Sequence, residues 1–481
     1  MLQVRRPRSR PYDRHVASSD WSKQHRKERG AWYTPASLVD LLLAAALKPD
    51  WVSQRGGAWR VLDPACGDGR FLVRAEELLR NLGVAHVDLV GIDIDVGAVA
   101  AARRRCPTAT IVHADALADD TLDGPLFADE RGPFDLVVGN PPFLSQLAAT
   151  TARGGASLHG GGPYADAAVE FLALGSRVVD QCGGRLGFVL PQSLLAARDG
   201  GDVRQSIDER ATLTWSSWTG TRDFDAQVVT CALLFEFGDS DGKDTHNWAT
   251  VVTERLGVPP VSEAMTAGAG VAVLSDFGWI NANFRDEYYG MIPAVDDHDD
   301  GPPLITSGLI DPGRCRWGER AVRFAKRNFD APRIDLDALD DRMRTWAERR
   351  LRPKVLIANQ TRVLEAVADP IGQWLPGVPV VSVYPANSEA VWEIAAVLTS
   401  PSASAWAWHE RGGTGLSAST IRVGPVMLGE LPWPTGPLDQ AVACLRAGDL
   451  AGCGRAVDRA YGVDPDEAAA LAAWWLPLIG P

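Results

Sequence analysis

The stretch Trp59 to Leu72, WRVLDPACGDGRFL, decides the fold. It opens as an apolar run, passes through Asp63-Pro64 into a turn holding Gly67 and Gly69, and ends in an amphipathic helical pattern, RFLVRAEELLRNL. A continuous apolar run reads as a buried parallel strand. Two spaced glycines allow the tight turn and close backbone approach that a ligand-binding strand-to-helix junction needs. The unit recurs outward: VDLVGIDID then VGAVAAARRR, then ATIVHAD, FDLVVGN, the helical ADAAVEFLALGSRVVDQ, and RLGFVLP. This alternation predicts an α/β fold, a doubly wound parallel sheet covered on both faces. ATLTWSSW and AQVVTCALLFEF have no long helix between them and are expected as an antiparallel pair closing one edge.

The carboxyl ends of the strands carry the chemistry. The Gly67/Gly69 turn departs from a dinucleotide fingerprint, because Leu72 stands where a third small residue belongs, and no P-loop lysine follows. Nicotinamide dinucleotides and ATP therefore fit poorly. Asp93, at the end of the second strand, suits a ribose diol and repels phosphate. Asp95 is its rival, since alternate residues of a strand share a face; the earlier one lies nearer the sheet. Asp115, after the third strand, suits an adenine amino group. Each acid alone reads equally well as a cap or turn residue. Three successive strand ends together describe a crevice for an adenosine-bearing ligand.

The fourth strand ends in Asn140-Pro141-Pro142-Phe143. Proline stops a strand, and two rings fix the carbonyl directions in advance. An aromatic amine is a poor nucleophile because its lone pair is delocalised into the ring. Acceptors on both of its N–H bonds, the Asn140 side-chain oxygen and the Pro141 carbonyl, localise that pair by preorganisation. Phe143 offers a flat face to the heterocycle. A base inside a duplex reaches such a pocket only when flipped out, and Phe224 is the candidate for the second stacking ring, though an ordinary core phenylalanine is the commoner role for it.

The chain has 481 residues, 46% of them hydrophobic and 23% charged, which suits two or three globular domains. The longest apolar run near the start, LVDLLLAAAL, is too short to cross a bilayer and contains Asp40. The first thirty residues lack a signal-type apolar core. A cytoplasmic protein without a membrane partner is expected. Seven cysteines without a C-x-x-C pair argue against both a disulfide framework and a zinc ribbon, so no metal is implied. Net charge is −13, yet residues 1–30 hold nine basic against three acidic side chains, and residues 314–354 thirteen against seven. An acidic body with two basic segments can present a local positive face. In the second segment RCRWGERAVRFAKR interleaves cations with Trp and Phe, and Arg316, Arg323, Lys326 and Arg327 are the candidates for phosphate contact.

GAWYTP (30–35), DPACGDGRFL, GIDID, HADAL, NPPF and RLGFVLP, in that order, resemble the amino-methylating DNA methyltransferases of the gamma arrangement, over roughly residues 22–237. The resemblance implies S-adenosylmethionine as methyl donor, with Tyr33, Thr34 and Pro35 at its methionine end and Asp63, Ala65 and Gly67 lining it. It further implies that Asp93 holds the ribose and that Asp115, with Ala116 and Leu117, holds the adenine. Asn140, Pro141, Pro142 and Phe143 would then engage the target amine. The implied reaction is direct methylation of adenine N6 in double-stranded DNA, without a covalent enzyme intermediate. Back-half segments such as PKVLIANQTRVLEAV, VPVVSVYPANSE and LGELPWP weakly resemble the target-recognition domains of these enzymes.

The expected organisation is a basic arm over 1–30, a methyltransferase domain over 31–240, a mixed α+β recognition domain over 248–435 and a helical tail over 436–481. Modification without cleavage is expected, with a restriction or defence partner left open. Methyl transfer to RNA, to protein amide nitrogen or to cytosine N4 is the nearest alternative, and a non-catalytic DNA-binding subunit of a defence complex is the alternative from another class.

Overall fold

The computed structural model describes residues 34–118, 132–143, 160–162, 165–221, 228–238, 248–265, 271–283, 285–297 and 300–480. The chain divides into two compact units. The first comprises Met1–Pro191, Arg198–Ser217 and Arg222–Thr245; the second comprises Gln192–Ala197, Trp218–Thr221 and His246–Pro481.

The first unit is built on a seven-stranded sheet. Its strands in chain order are β1 (Trp59–Asp63), β2 (Val87–Asp93), β3 (Thr110–His113), β4 (Leu136–Gly139), β5 (Arg185–Pro191), β6 (Ala211–Trp218) and β7 (Thr230–Phe237). Their spatial order is β3-β2-β1-β4-β5-β7-β6. The first five strands of that row pair in parallel. β7 then enters antiparallel to β5, with Arg185 opposite Glu236 and Pro191 opposite Thr230. The two late strands do close the edge, the later one lying inside the earlier. β1, β4 and β5 are buried along their whole length, which is why, apart from Arg60, Asp63 and Arg185 at or near strand ends, they are apolar without alternation.

Helices cover the sheet because their apolar residues fall on one face. In α1 (Ala36–Ala46) these are Val39, Leu42, Leu43 and Ala46. In α2 (Arg70–Asn81) they are Phe71, Leu72, Ala75 and Leu79, at the spacing that puts side chains over one another on a helix. α3 (Val96–Arg105) starts at Asp95, whose carboxylate accepts from the Ala98 amide at 2.8 Å, and ends on three arginines that suit the negative end of its dipole. α4 (Ala167–Val178) starts at Asp166 in the same way and is buried along most of its length. Leu42, Leu43, Trp59, Val61, Phe71, Leu72, Leu136 and Val138 belong to one continuous core.

In the second unit a four-stranded sheet is formed by β8 (Gly278–Ala282), β11 (Lys354–Ala358), β12 (Ala366–Asp369) and β13 (Val380–Pro385), in the order β12-β11-β13-β8 with antiparallel pairing. Between β8 and β11 in the chain lie the hairpin β9 (Val322–Phe324) and β10 (Arg327–Phe329) and the helix α5 (Asp341–Arg350). Lys354 on β11 is fully buried, its ammonium 2.5 Å from Asp369, which also accepts from the amides of Gly372, Gln373 and Trp374. A buried charge pair survives only with such extra donors. Towards the end of the chain α6 (Val391–Leu398), α7 (Pro401–Arg411), α8 (Asp439–Arg446), α9 (Leu450–Tyr461) and α10 (Pro465–Trp475) pack on one another. Among the described residues no helix is long and apolar enough to cross a membrane.

Candidate active site

The sheet order reverses between β1 and β4, and ligands of open α/β sheets bind outside the strand carboxyl ends at such a switch point. The chain leaves β1 at Asp63 and enters the glycine turn. Gly67 and Gly69 take left-handed φ values of 53° and 80°, open to glycine at no steric cost. The turn is tied to the neighbouring strand: the Cys66 amide donates to the Ile92 carbonyl at 2.8 Å and the Gly67 amide to Asp93 Oδ2 at 2.8 Å. A Cβ at Gly69 would lie 3.3 Å from Ala102, so that glycine permits close packing of α3. A Cβ at Gly67 would meet nothing within 4 Å, so that glycine faces open space.

Asp93 and Asp95 have different partners. Both Asp93 oxygens accept backbone amides, Oδ2 from Gly67 and Oδ1 from Asp95 at 2.8 Å. Asp95 caps α3. Asp115 bends the chain after β3 by accepting from the Leu117 amide at 3.0 Å, and Ala116 and Leu117 behind it are buried.

Asp63 is buried at the switch point, its Oδ1 accepting from the Ala65 amide at 3.1 Å. Burial pushes its carboxyl well above the ordinary value; the Ala65 amide pulls it part-way back, and the neighbouring charges of Asp93 and Asp68 add to the rise. Across the strand boundary a Cβ at Gly139 would sit 2.6 Å from Asp63 Oδ1. The residue before Asn140 must therefore be glycine for this carboxylate to stay where it is. Asn140, Pro142 and Phe143 are half-buried and Pro141 buried, and the Phe143 ring packs against the main core of the unit.

One element of the site is invisible in the sequence. Arg70 forks onto Asp68 through two 2.9 Å bonds and donates through Nη1 to the Thr34 carbonyl, while Arg105 reaches Asp68 at 2.7 Å. Burial alone would raise the Asp68 carboxyl, but the two arginines together hold it below its ordinary value. This network fastens buried Thr34 and the chain before α1 to the glycine turn. No motif signals it, since it joins a turn, a helix end and a distant segment. Tyr33, Phe224 and the basic arm over 1–30 lie outside the described residues.

Residues 17–214 match the family model described as N-6 DNA Methylase. The chain is 29% identical over 197 residues to the type II methyltransferase M.BanIII of Aneurinibacillus aneurinilyticus, covering 38% of this chain and 34% of that protein. It is 37% identical over 89 residues to ribosomal RNA small subunit methyltransferase C of Chromohalobacter salexigens, covering 18% and 23%. The chain thus spans about a third or less of the length of these curated relatives. Among solved structures, the type IIG restriction endonuclease BpuSI aligns over 95% of this chain and 66% of that one, at 12% identity and a TM-score of 0.40. The type I restriction-modification methyltransferase subunit of Streptococcus thermophilus aligns over 44% and 45%, at 20% identity and a TM-score of 0.35.

In the first unit Asp63, Ala65, Gly67, Asp93, Asp115 and Asn140 all stand at successive carboxyl ends of one sheet or in the turn after β1. The four candidate phosphate contacts belong to the second unit. Arg323, Lys326 and Arg327 are exposed on the hairpin β9–β10, whose tip places Ala325 and Lys326 at φ values of 48° and 67°. Arg327 lies 4.8 Å from the Phe329 ring centre. Arg316 is half-buried and paired, 2.7 Å from Asp311 and 3.2 Å from Glu319.

Proposed function

We propose that the chain is a site-specific DNA methyltransferase that moves a methyl group from S-adenosylmethionine to adenine N6 in double-stranded DNA. The observation that carries this reading is the contact of Asp63 with Gly139, which sets the turn after β1 directly beside Asn140-Pro141-Pro142-Phe143.

The residues of the crevice fit the methyl donor. Asp63 and Asp93 border the Gly67/Gly69 turn, an arrangement that suits a cationic, diol-bearing ligand and opposes a phosphate. The open space at Gly67 admits close approach of the ligand. Asp93, fixed by two backbone amides, is oriented to accept from the ribose hydroxyls. Asp115, held by the Leu117 amide, accepts from the adenine amine of the donor, with Ala116 and Leu117 beside the ring. Thr34, fastened through Arg70, and Pro35 close over the methionine end. When bound, the donor supplies a sulfonium methyl open to in-line attack.

The chain's part in the chemistry is to prepare the nucleophile. The Asn140 side-chain oxygen and the Pro141 carbonyl accept the two N–H bonds of the extruded adenine, drawing its nitrogen lone pair out of the ring. Pro142 restrains the clamp, and Phe143 stacks the flipped base. Asn140 is no base near neutral pH, so the proton released after transfer leaves to water. Arg323, Lys326 and Arg327 contact phosphates and position the duplex.

The test is transfer of labelled methyl from S-adenosylmethionine by the full chain to duplex DNA, RNA and protein offered in parallel, followed by separation of the labelled nucleosides and amino acids. Label in N6-methyldeoxyadenosine is the expected result. Label confined to RNA, to protein amide nitrogen or to cytosine N4 would replace the substrate, and donor binding without any acceptor would favour a non-catalytic DNA-binding subunit.

A further inference from the structure

A cluster of aromatic and cationic side chains on the second unit is absorbed by none of the roles above. Trp279 lies on β8, the edge strand of the four-stranded sheet, directly across the ladder from Tyr384 on β13. The two rings stack with centroids 5.1 Å apart and planes 27° from parallel. The Arg350 guanidinium, at the end of α5, stands 4.8 Å from the Trp279 ring centre and 5.7 Å from that of Tyr384. Arg352 stands 4.9 Å from the Tyr384 ring. Tyr384 is 1% exposed, whereas Trp279 is 50% exposed.

These distances decide the geometry. Trp279, Tyr384 and Arg350 make a nearly equilateral triangle, so the three groups form one cluster. The indole keeps half of its surface exposed. Among the described residues, no carboxylate pairs with Arg349, Arg350 or Arg352. A half-exposed indole in a cluster of cations that no described carboxylate neutralises matches a partner that is flat and anionic. A nucleotide has a π face for the indole and a phosphate for the arginines.

We propose that Trp279, with Arg350 beside it and Arg352 at the neighbouring Tyr384 ring, is a stacking platform for an unpaired base of the bound DNA. The inference rests on the DNA-methylating reading above and deepens it, by assigning to the second unit a contact with an unstacked nucleotide as well as the backbone contacts of the hairpin β9–β10. Base stacking on an aromatic side chain tolerates any sequence, because every base has a π face. The platform therefore adds affinity for a locally opened duplex without adding base readout.

The experiment uses the full chain and fluorescence anisotropy with three DNA probes: a fully paired duplex, the same duplex with one central unpaired base, and the single strand. Trp279→Ala is compared with Trp279→Phe and Arg352→Gln, and donor binding is measured on each. For Trp279→Ala we expect about tenfold or more weaker binding to the two probes with unpaired bases, with a smaller effect on the paired duplex. Trp279→Phe keeps most of the affinity, Arg352→Gln loses part of it, and donor binding is unchanged throughout. Equal affinities of Trp279→Ala and the unsubstituted chain for all three probes overturn the platform and leave the methylating reading intact. Failure of the unsubstituted chain to bind any of the probes overturns both.

Discussion

The carboxylate of Asp63 rests against the backbone of Gly139, so closely that one added methyl at residue 139 would lie 2.6 Å from Oδ1. That separation is below any ordinary carbon–oxygen contact, and the group it would displace is a buried carboxyl hydrogen-bonded to the Ala65 amide. Gly139→Ala is expected to shift Asp63 or Asn140 rather than unfold the sheet. Misplacement of reacting groups by about 1 Å can cost on the order of 10²-fold in rate. Steady-state kinetics together with a thermal melt check this: a large fall in kcat with a folded protein is expected, and an unaffected kcat contradicts the apposition.

Asp93 and Asp95 are two residues apart and separable by experiment. Asp93→Asn replaces an acceptor oxygen by a donor while both oxygens face backbone amides. Hydrogen bonds to charged groups contribute about 1.5–3 kcal/mol, so donor affinity should fall at least tenfold in calorimetry. Asp95→Ala removes the cap of α3, costing about 1 kcal/mol of stability, and should leave donor affinity nearly intact. Equal loss of affinity in both variants would remove Asp93 from its assigned role.

Asp458 offers a test by pH. It is 1% exposed on α9, accepts from the Ser402 hydroxyl at 2.5 Å, and burial pushes its carboxyl up to about 6. A carboxyl raised in the folded state contributes stability that is full below its unfolded value near 3.8 and is lost as pH rises through about 6. Asp458→Asn should therefore be more stable than the unsubstituted chain at pH 7.5, by at most about 3 kcal/mol, with the gap closing towards pH 4. Denaturant melts at the two pH values read this out, and a gap independent of pH counts against it.

The basic segment splits by geometry into two parts. Arg323, Lys326 and Arg327 are exposed on the hairpin, while Arg316 holds Asp311 and Glu319. Neutralising the three hairpin cations to Gln should weaken DNA binding and flatten its logarithmic salt dependence by about 0.9 for each phosphate no longer neutralised. Arg316→Gln should act first on stability, because it strips a partner from Asp311, and should change the salt slope least. A slope unmoved by the triple substitution would relocate the DNA face.

The parts of the fold legible in the sequence are those written in local pattern. β1, β4 and β5 are buried on both faces and so read as mainly apolar runs without alternation, and the glycines at 67 and 69 announce their left-handed turn. The acids at 93 and 115 are visible because they follow strands. The hidden parts depend on pairings between distant residues. That β7 lies inside β6 follows from a partner choice about fifty residues away in the chain, which no local pattern encodes. The Arg70–Asp68–Arg105 network and its hold on Thr34 likewise exist only once α2, α3 and the chain before α1 have come together. Trp279 is one tryptophan among 17 until the sheet puts it across from Tyr384 beside Arg350.

The central claim, that Asn140 grips the target amine beside the donor without holding the donor, is tested most directly by measuring methyl transfer and donor affinity on the same preparation of Asn140→Ala. Transfer to adenine reduced by at least about 10²-fold, with donor affinity within about twofold of the unsubstituted chain, is the predicted result. Transfer and donor affinity falling together, or adenine methylation continuing at the original rate, would contradict it.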